Sequence, residues 1–231
     1  MSSFLSRLTE LISPRVCPVC NCRISGAQDL LCLSCNVKLP RTDFMHHPYD
    51  NEMARMLWGR MAVERCVALA FFVPHSDMAR LIYRLKYGNR PEVGEDIGRL
   101  MGEELSSTGF FEDVDLLIPV PLAKKRLRQR GYNQSLEIAK GIAEATGLPI
   151  AHAVVCRNVF MGSQTQKHWN ERNENVKGVF ELENPGQIRG KHVLLIDDVM
   201  TTGATLVSCG KEILQAEGVR ISVLTFGYAK S

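Results

Sequence analysis

HVLLIDDVMTTGATL, residues 192–206, decides the fold of this chain. It begins with an apolar run rich in β-branched residues, 193–196, which predicts a strand buried on both faces. Two carboxylates follow this run, and a loop of threonines and a glycine comes next. A helical pattern begins at about Ala204 and continues to about Glu217, with Leu206, Ile213 and Leu214 as expected core contacts. Ligands of open α/β sheets bind beyond the carboxyl ends of such strands.

The polar part of this stretch predicts a site for a ribose phosphate. Asp197 and Asp198 can accept hydrogen bonds from the vicinal hydroxyls of a ribose. The free N–H groups and the dipole of the following helix favour a phosphate, and a glycine lets the backbone approach it. The residues expected to hold the 5′-phosphate are Thr201, Thr202, Gly203, Ala204 and Thr205. An ordinary polar turn after a buried strand is the alternative, but it would not require all these residue types together.

Length and composition set limits on the protein class. The 231 residues suit one main domain with a small appendage, and 45% hydrophobic and 23% charged residues are typical of globular proteins. A net charge of +3 is mild, so binding to nucleic acid requires a local patch. No apolar run is long enough to span a membrane. Residues 1–16 lack a long apolar core, which argues against a secretory signal and favours a short amphipathic helix ending before Pro14.

Five of the eight cysteines lie close together near the N-terminus. The pattern Cys17-x-x-Cys20, an 11-residue gap and Cys32-x-x-Cys35 predicts a structural zinc site made of four thiolates. Surface thiols or a redox pair are the alternative, and Cys22 could replace Cys20 as a ligand. A metal site suits a cytoplasmic protein better than disulfides do. The remaining cysteines are expected to be small core residues: Cys66, Cys156 and Cys209.

A second apolar run, 115–120, predicts another buried strand, and a basic segment follows it. The cations of this segment are Lys124, Lys125, Arg126, Arg128 and Arg130. At the carboxyl end of a strand they would form an anion site suited to a pyrophosphate, or a patch for a nucleic-acid backbone. A solvated charged face is the alternative. The position after a buried strand favours an anion site.

The rest of the chain alternates between strand and helix patterns. Further strands are expected at 63–73 and 221–228. Ser76 should cap a helix with Met78, Leu81, Ile82 and Leu85 on its buried face, and another helix should span 91–107. A helix should follow the basic segment, and the side chains expected on its inward face are Leu136, Ala139, Ile142 and Ala143. The pattern predicts an α/β fold with a parallel sheet and helices on both faces. The expected divisions are an N-terminal helix and zinc module (1–40), a linker and helix (41–62) and the main domain (63–231).

Polar residues dominate 162–175 within the segment 157–180, which predicts a long loop or flap that could close over a bound anion. The expected contacts of such a lid are Gln164, Thr165, Lys167 and Arg172, and a merely disordered excursion is the alternative.

Four segments together resemble the ComF/GntX family of phosphoribosyltransferase-like proteins. They are the cysteine cluster, RGYNQS (130–135), the QT…R..NV..VF pattern (164–180) and IDDVMTTGAT (196–205). The resemblance implies a type I phosphoribosyltransferase fold that binds 5-phosphoribosyl-1-pyrophosphate (PRPP). The acidic pair would hold the ribose hydroxyls and the threonine loop the 5′-phosphate, with Mg²⁺ on the pyrophosphate and ribose oxygens. The family is tied to DNA uptake in natural competence, which adds single-stranded DNA and DNA-processing proteins as candidate partners.

Three functions are compatible with this sequence. The first is a PRPP-binding protein that acts in DNA uptake. The second is an active, Mg²⁺-dependent phosphoribosyltransferase that releases pyrophosphate and modifies an unidentified acceptor. The third is a regulator in which PRPP changes a partner interaction. Purine-salvage phosphoribosyltransferases of the hypoxanthine–guanine type have an aspartate base at the position that Thr201 occupies in this similar motif. Because threonine cannot act as a carboxylate base, the resemblance argues against hypoxanthine and guanine as acceptors.

Overall fold

The computed structural model describes residues 16–24, 30–158 and 179–230. Its strands are β1 (Cys66–Phe71), β2 (Leu116–Pro119), β3 (Val155–Arg157), β4 (Phe180–Leu182), β5 (His192–Met200) and β6 (Arg220–Tyr228). Its helices are α1 (Leu33–Val37), α2 (Glu52–Leu57), α3 (Asp77–Tyr87), α4 (Glu92–Ser106), α5 (Lys124–Arg130), α6 (Gln134–Thr146) and α7 (Ala204–Ile213). Within these residues, no helix is long and apolar enough to cross a lipid bilayer.

The predicted parallel sheet is confirmed. Four of the described strands form one sheet in the order β1-β6-β5-β2, and each neighbouring pair is parallel. The apolar start of β5 is fully buried, because it lies between two other strands and helices pack on the sheet. The carboxyl ends of β2 and β5 lie side by side, with Pro119 paired to Ile196. The residues that follow these two strands therefore meet at one edge.

Several predicted boundaries differ from the structure. β5 continues four residues beyond its apolar run, because Asp197 and Met200 still pair with Thr225 and Tyr228 of β6. The acidic pair therefore lies inside the strand and not in the loop. α7 ends at Ile213, earlier than predicted, and the basic segment forms a helix of its own, α5.

The inward face predicted for α6 is partly wrong. Ala139 and Ile142 are buried as expected, but Leu136 and Ala143 are only half-buried, and Ile138 is fully buried. The reason is the close packing of α6 on α4, where glycines let the two backbones touch. A Cβ added to Gly98 would overlap the carbonyl oxygen of Ile138.

A second, antiparallel pair of strands, β3 and β4, stands beside the main sheet. The predicted lid residues Gln164, Thr165, Lys167 and Arg172 lie outside the described residues, as does the predicted N-terminal helix. Of the scattered cysteines, Cys66 and Cys209 are buried core residues as expected. Cys156 is half-buried, because its strand, β3, lies outside the four-stranded sheet.

Candidate phosphoribosyl site

A cleft of about 280 Å³ opens where β2 and β5 end. Its walls come from the acidic pair, the threonine loop, the basic helix and the start of α6. The polar side chains that line it are Lys86, Arg126, Arg130, Asn133, Gln134, Ser135, Arg157, Asp197, Asp198, Thr201 and Thr205. The fold therefore brings two segments, predicted separately as a ribose-phosphate site and an anion site, to one cavity.

The two carboxylates of the cleft have different surroundings. Asp197 accepts hydrogen bonds from the Ser135 hydroxyl and from the backbone N–H of Asp198, both at 2.9 Å. Asp198 is buried and pairs with the ammonium of Lys86 at 3.0 Å. Burial, and then the negative charge of Asp198, raise the pKa of Asp197 from its usual range to about 7. A group that brings positive charge or hydrogen-bond donors to this pair would favour the ionised form.

The loop after β5 is held in place by contacts to an earlier part of the chain. Its Gly203 has a φ of +71°, which L side chains rarely adopt, and a Cβ there would lie 2.9 Å from the Met200 side chain and 3.0 Å from that of Leu57, so both would have to shift. Arg60 donates to the carbonyl oxygen of Thr202 at 2.7 Å. Thr201 and Thr205 line the cleft, so the first turn of α7, which contains Thr205, borders this cavity.

The structure divides the predicted basic segment into two groups. Arg126 and Arg130 line the cleft, whereas Lys124, Lys125 and Arg128 do not. α5 has no buried residue, so its other cations face solvent. The helix ends at Gly131, which has a φ of +79°.

The four predicted metal-binding cysteines lie together. The sulfur atoms of Cys17, Cys20, Cys32 and Cys35 are all within 4.8 Å of one another, and that of Cys20 is 3.6 Å from that of Cys32. A tetrahedral ion with bonds of about 2.3 Å needs sulfurs roughly 3.8 Å apart, so the cluster fits a metal ion of this kind. Cys22 is the neighbouring thiol, with its sulfur 3.2 Å from that of Cys20.

Comparison with known proteins identifies the domain around the cleft. The family model described as "Phosphoribosyl transferase domain" matches residues 134–229, which include α6, β5, the acidic pair and the threonine loop. The chain is 29% identical to the DNA utilization protein YhgH of Shigella flexneri over 90% of this chain and 88% of that protein. It is 24% identical to competence protein F of Haemophilus influenzae over 93% and 96% of the two chains. It is also 34% identical to competence protein ComFC of Bacillus subtilis over 50% of this chain and 45% of that protein.

Most of the chain is therefore similar to competence and DNA utilization proteins, and its C-terminal part matches the phosphoribosyl transferase domain. The segment RGYNQS has a clear structural role beside the cleft. The Tyr132 hydroxyl donates to the carbonyl oxygen of Leu85 at 2.6 Å, and the Asn133 amide donates to that of Val120 at 3.0 Å. The Asn133 side chain also accepts from the backbone N–H of Ser135 and caps α6. The segment therefore links α3, β2 and α6 around the cleft.

Two cations of the cleft were not predicted from the sequence. Lys86 lies near the end of α3 and Arg157 at the end of β3, where each looks like an ordinary surface charge. Burial, and then the nearby positive charge of Arg126, lower the pKa of Arg157, whose guanidinium lies 5.1 Å from the ring centre of Phe180. Only the tertiary structure could identify them, because neither residue follows a motif.

Proposed function

We propose that this protein binds PRPP in the cleft at the carboxyl ends of β2 and β5. The observation that supports the proposal is that the acidic pair, the threonine loop and three arginines line a single cavity. Asp197 and Asp198 would accept hydrogen bonds from the ribose hydroxyls. The residues from Thr201 to Thr205 would hold the 5′-phosphate through backbone N–H groups and hydroxyls.

The pyrophosphate of PRPP would lie towards the cationic side of the cleft. Arg126, Arg130 and Arg157 all line this cavity, and guanidinium groups bind phosphate oxygens through paired hydrogen bonds. Mg²⁺ would accompany the pyrophosphate, since oxygen ligands suit this ion, and the acidic pair lies in the same cavity. Lys86 balances the charge of the buried Asp198 and so keeps the pair stable without ligand.

Calorimetric titration of PRPP with Mg²⁺ tests this assignment. The wild-type protein should bind saturably, and an Asp197→Asn/Asp198→Asn variant should lose at least tenfold in affinity, because amides accept ribose hydroxyls less well than carboxylates. The exposed Asp50→Asn is the matched control and should bind as the wild type does. Absence of saturable binding by the wild-type protein would refute the proposal.

A role in DNA uptake, with contacts to single-stranded DNA and DNA-processing proteins, forms the second part of the proposal. The DNA utilization protein and competence protein F match most of the chain, and competence protein ComFC matches half of it. The solvent-facing cations of α5, Lys124, Lys125 and Arg128, suit a phosphate backbone. Binding through them would weaken steeply as salt is raised, because neutralised phosphates release counterions.

The cysteine cluster completes the proposal as a structural zinc site. Four thiolates leave no open position on a tetrahedral ion, so the ion would shape this segment and take no part in chemistry. We favour Cys20 over Cys22 as the fourth ligand, because Cys20 has the Cys-x-x-Cys spacing and belongs to the group of mutually close sulfurs.

A further inference from the structure

The solvent-facing side of α3 carries cations and aromatic rings in alternation. Arg80 and Arg84 are four residues apart, and so are Tyr83 and Tyr87, which places the four side chains on one side of the helix. We name these four residues the α3 stripe. The opposite face of the helix is the buried one and consists of Met78, Leu81, Ile82 and Leu85. The α3 stripe is therefore not needed to attach the helix to the core.

The two tyrosines of the stripe are open to solvent. Tyr83 is 64% exposed and Tyr87 is 63% exposed, and their ring centres are 4.9 Å apart. Buried tyrosines stabilise a fold through their area, but these two leave most of that area in water. An exposed aromatic pair of this kind offers ring faces on which planar groups can stack.

The stripe connects two other parts of the molecule. Within the stripe, Arg84 donates to the side-chain oxygen of Asn21 in the cysteine module at 2.8 Å. At the C-terminal end of the stripe, the Arg130 guanidinium lies 5.4 Å from the ring centre of Tyr87. Arg130 also lines the cleft and belongs to α5, the basic helix. The stripe thus contacts the cysteine module through Arg84 and α5 through Tyr87.

The charges of the stripe and of α5 indicate what they would bind. The one carboxylate of α3 is Asp77, and it is paired with Arg80 at 3.1 Å. The remaining cations of the stripe and of α5 suit phosphates, while the tyrosine rings suit bases. Single strands expose both groups at once, whereas a duplex keeps its bases stacked inside. Alternating cations and aromatic rings therefore fit a single strand better than a duplex or an acidic peptide.

We propose that Tyr83 and Tyr87 form a stacking platform for successive bases of single-stranded DNA, whose phosphates lie along Arg84, Arg130 and α5. The inference deepens the DNA part of the proposed function and rests on it. It places the strand beside the mouth of the phosphoribosyl cleft, because Arg130 belongs to both surfaces.

Fluorescence anisotropy with two labelled strands tests the platform on the full-length, metal-loaded protein. One strand is an oligothymidylate, and the other is an abasic deoxyribose-phosphate strand of the same length, which has phosphates but no bases. Tyr83→Ala/Tyr87→Ala should weaken binding of the oligothymidylate about tenfold or more and leave binding of the abasic strand unchanged. Tyr83→Phe/Tyr87→Phe should bind both strands as the wild type does. The matched control is Tyr49→Ala, since Tyr49 is 62% exposed and lies beside Ser107 and Thr108.

A charge-reversed variant separates the two proposals. Lys125→Glu/Arg128→Glu should weaken binding of both strands, because it acts on the phosphates. If the wild-type protein binds the oligothymidylate and the alanine variant binds it equally well, the platform is refuted and the DNA role stands. An equal loss of both strands in the alanine variant also refutes stacking. If the wild-type protein binds neither strand, the DNA role fails and the platform fails with it.

Discussion

At the scale of single residues, the carboxyl group of Asp197 has the most unusual environment in the cleft. Its pKa is raised to about 7, first by burial and then by the charge of Asp198. The hydroxyl of Ser135 and the N–H of Asp198 oppose this shift by donating to one oxygen of the group. Without a ligand, the protonated form of Asp197 is therefore favoured up to nearly neutral pH.

This shift predicts how the stability of the ligand-free protein varies with pH. A carboxyl group whose pKa is higher in the folded state than in the unfolded state stabilises the fold at low pH, and this contribution is lost as pH rises through the folded value. Asp197→Asn should remove that loss. The unfolding free energy of the variant minus that of the wild type should therefore be larger at pH 8 than at pH 5, by on the order of 2 kcal/mol. Urea unfolding of both proteins at the two pH values measures this change. The same value at both pH values would contradict the assigned environment of Asp197.

At the scale of secondary-structure elements, the packing of α4 on α6 depends on glycines. Gly94, Gly98 and Gly102 follow one another at intervals of four and face α6, whose Gly141 faces α4 in turn. An added Cβ at Gly98 would overlap the carbonyl oxygen of Ile138, and one at Gly141 would overlap that of Glu95. The two helices are in backbone contact, and this contact fixes the position of α6, which carries Ser135 to the acidic pair.

Gly98→Ala should therefore destabilise the protein although alanine has the higher helix propensity. The gain in propensity is about 0.5 to 1 kcal/mol, whereas overpacking costs about 1 to 3 kcal/mol. A net loss of unfolding free energy should appear in urea denaturation. Gly186→Ala is the control, because a Cβ there meets nothing within 4 Å and should leave stability nearly unchanged. Equal stability of the Gly98→Ala variant and the wild type would show that the helices can separate without cost.

At the scale of the whole molecule, the cysteine module and the phosphoribosyltransferase-like domain are joined by specific contacts. Arg84 of α3 reaches Asn21 of the module, and Arg41, which follows the module, forms an ion pair with Glu104 of α4 at 2.6 Å. The threonine loop is likewise held by Leu57 and Arg60 from the segment between them. Order in the N-terminal part of the chain therefore supports the cleft.

Metal content should distinguish the two candidate ligands of the module. Cys20→Ser should lose the bound zinc, because it removes one of four mutually close thiolates, whereas Cys22→Ser should keep about one zinc per chain. Inductively coupled plasma mass spectrometry of the purified variants measures this. Loss of zinc from the Cys22→Ser variant with retention in the Cys20→Ser variant would reverse the assignment.

The sequence by itself determined the fold class and the cysteine cluster, because these depend on local patterns. Apolar runs predict β2, β5 and β6, and the spacing of the Cys-x-x-Cys pairs places four thiolates within reach of one ion. Tertiary structure alone brought Lys86 and Arg157 into the cleft, since both reach it from elements distant in sequence. It also kept the acidic pair inside β5, because pairing with β6 continues past the apolar run. The division of the basic segment between cleft and solvent likewise depends on which residues of α5 border the cleft, since the helix buries none of its residues.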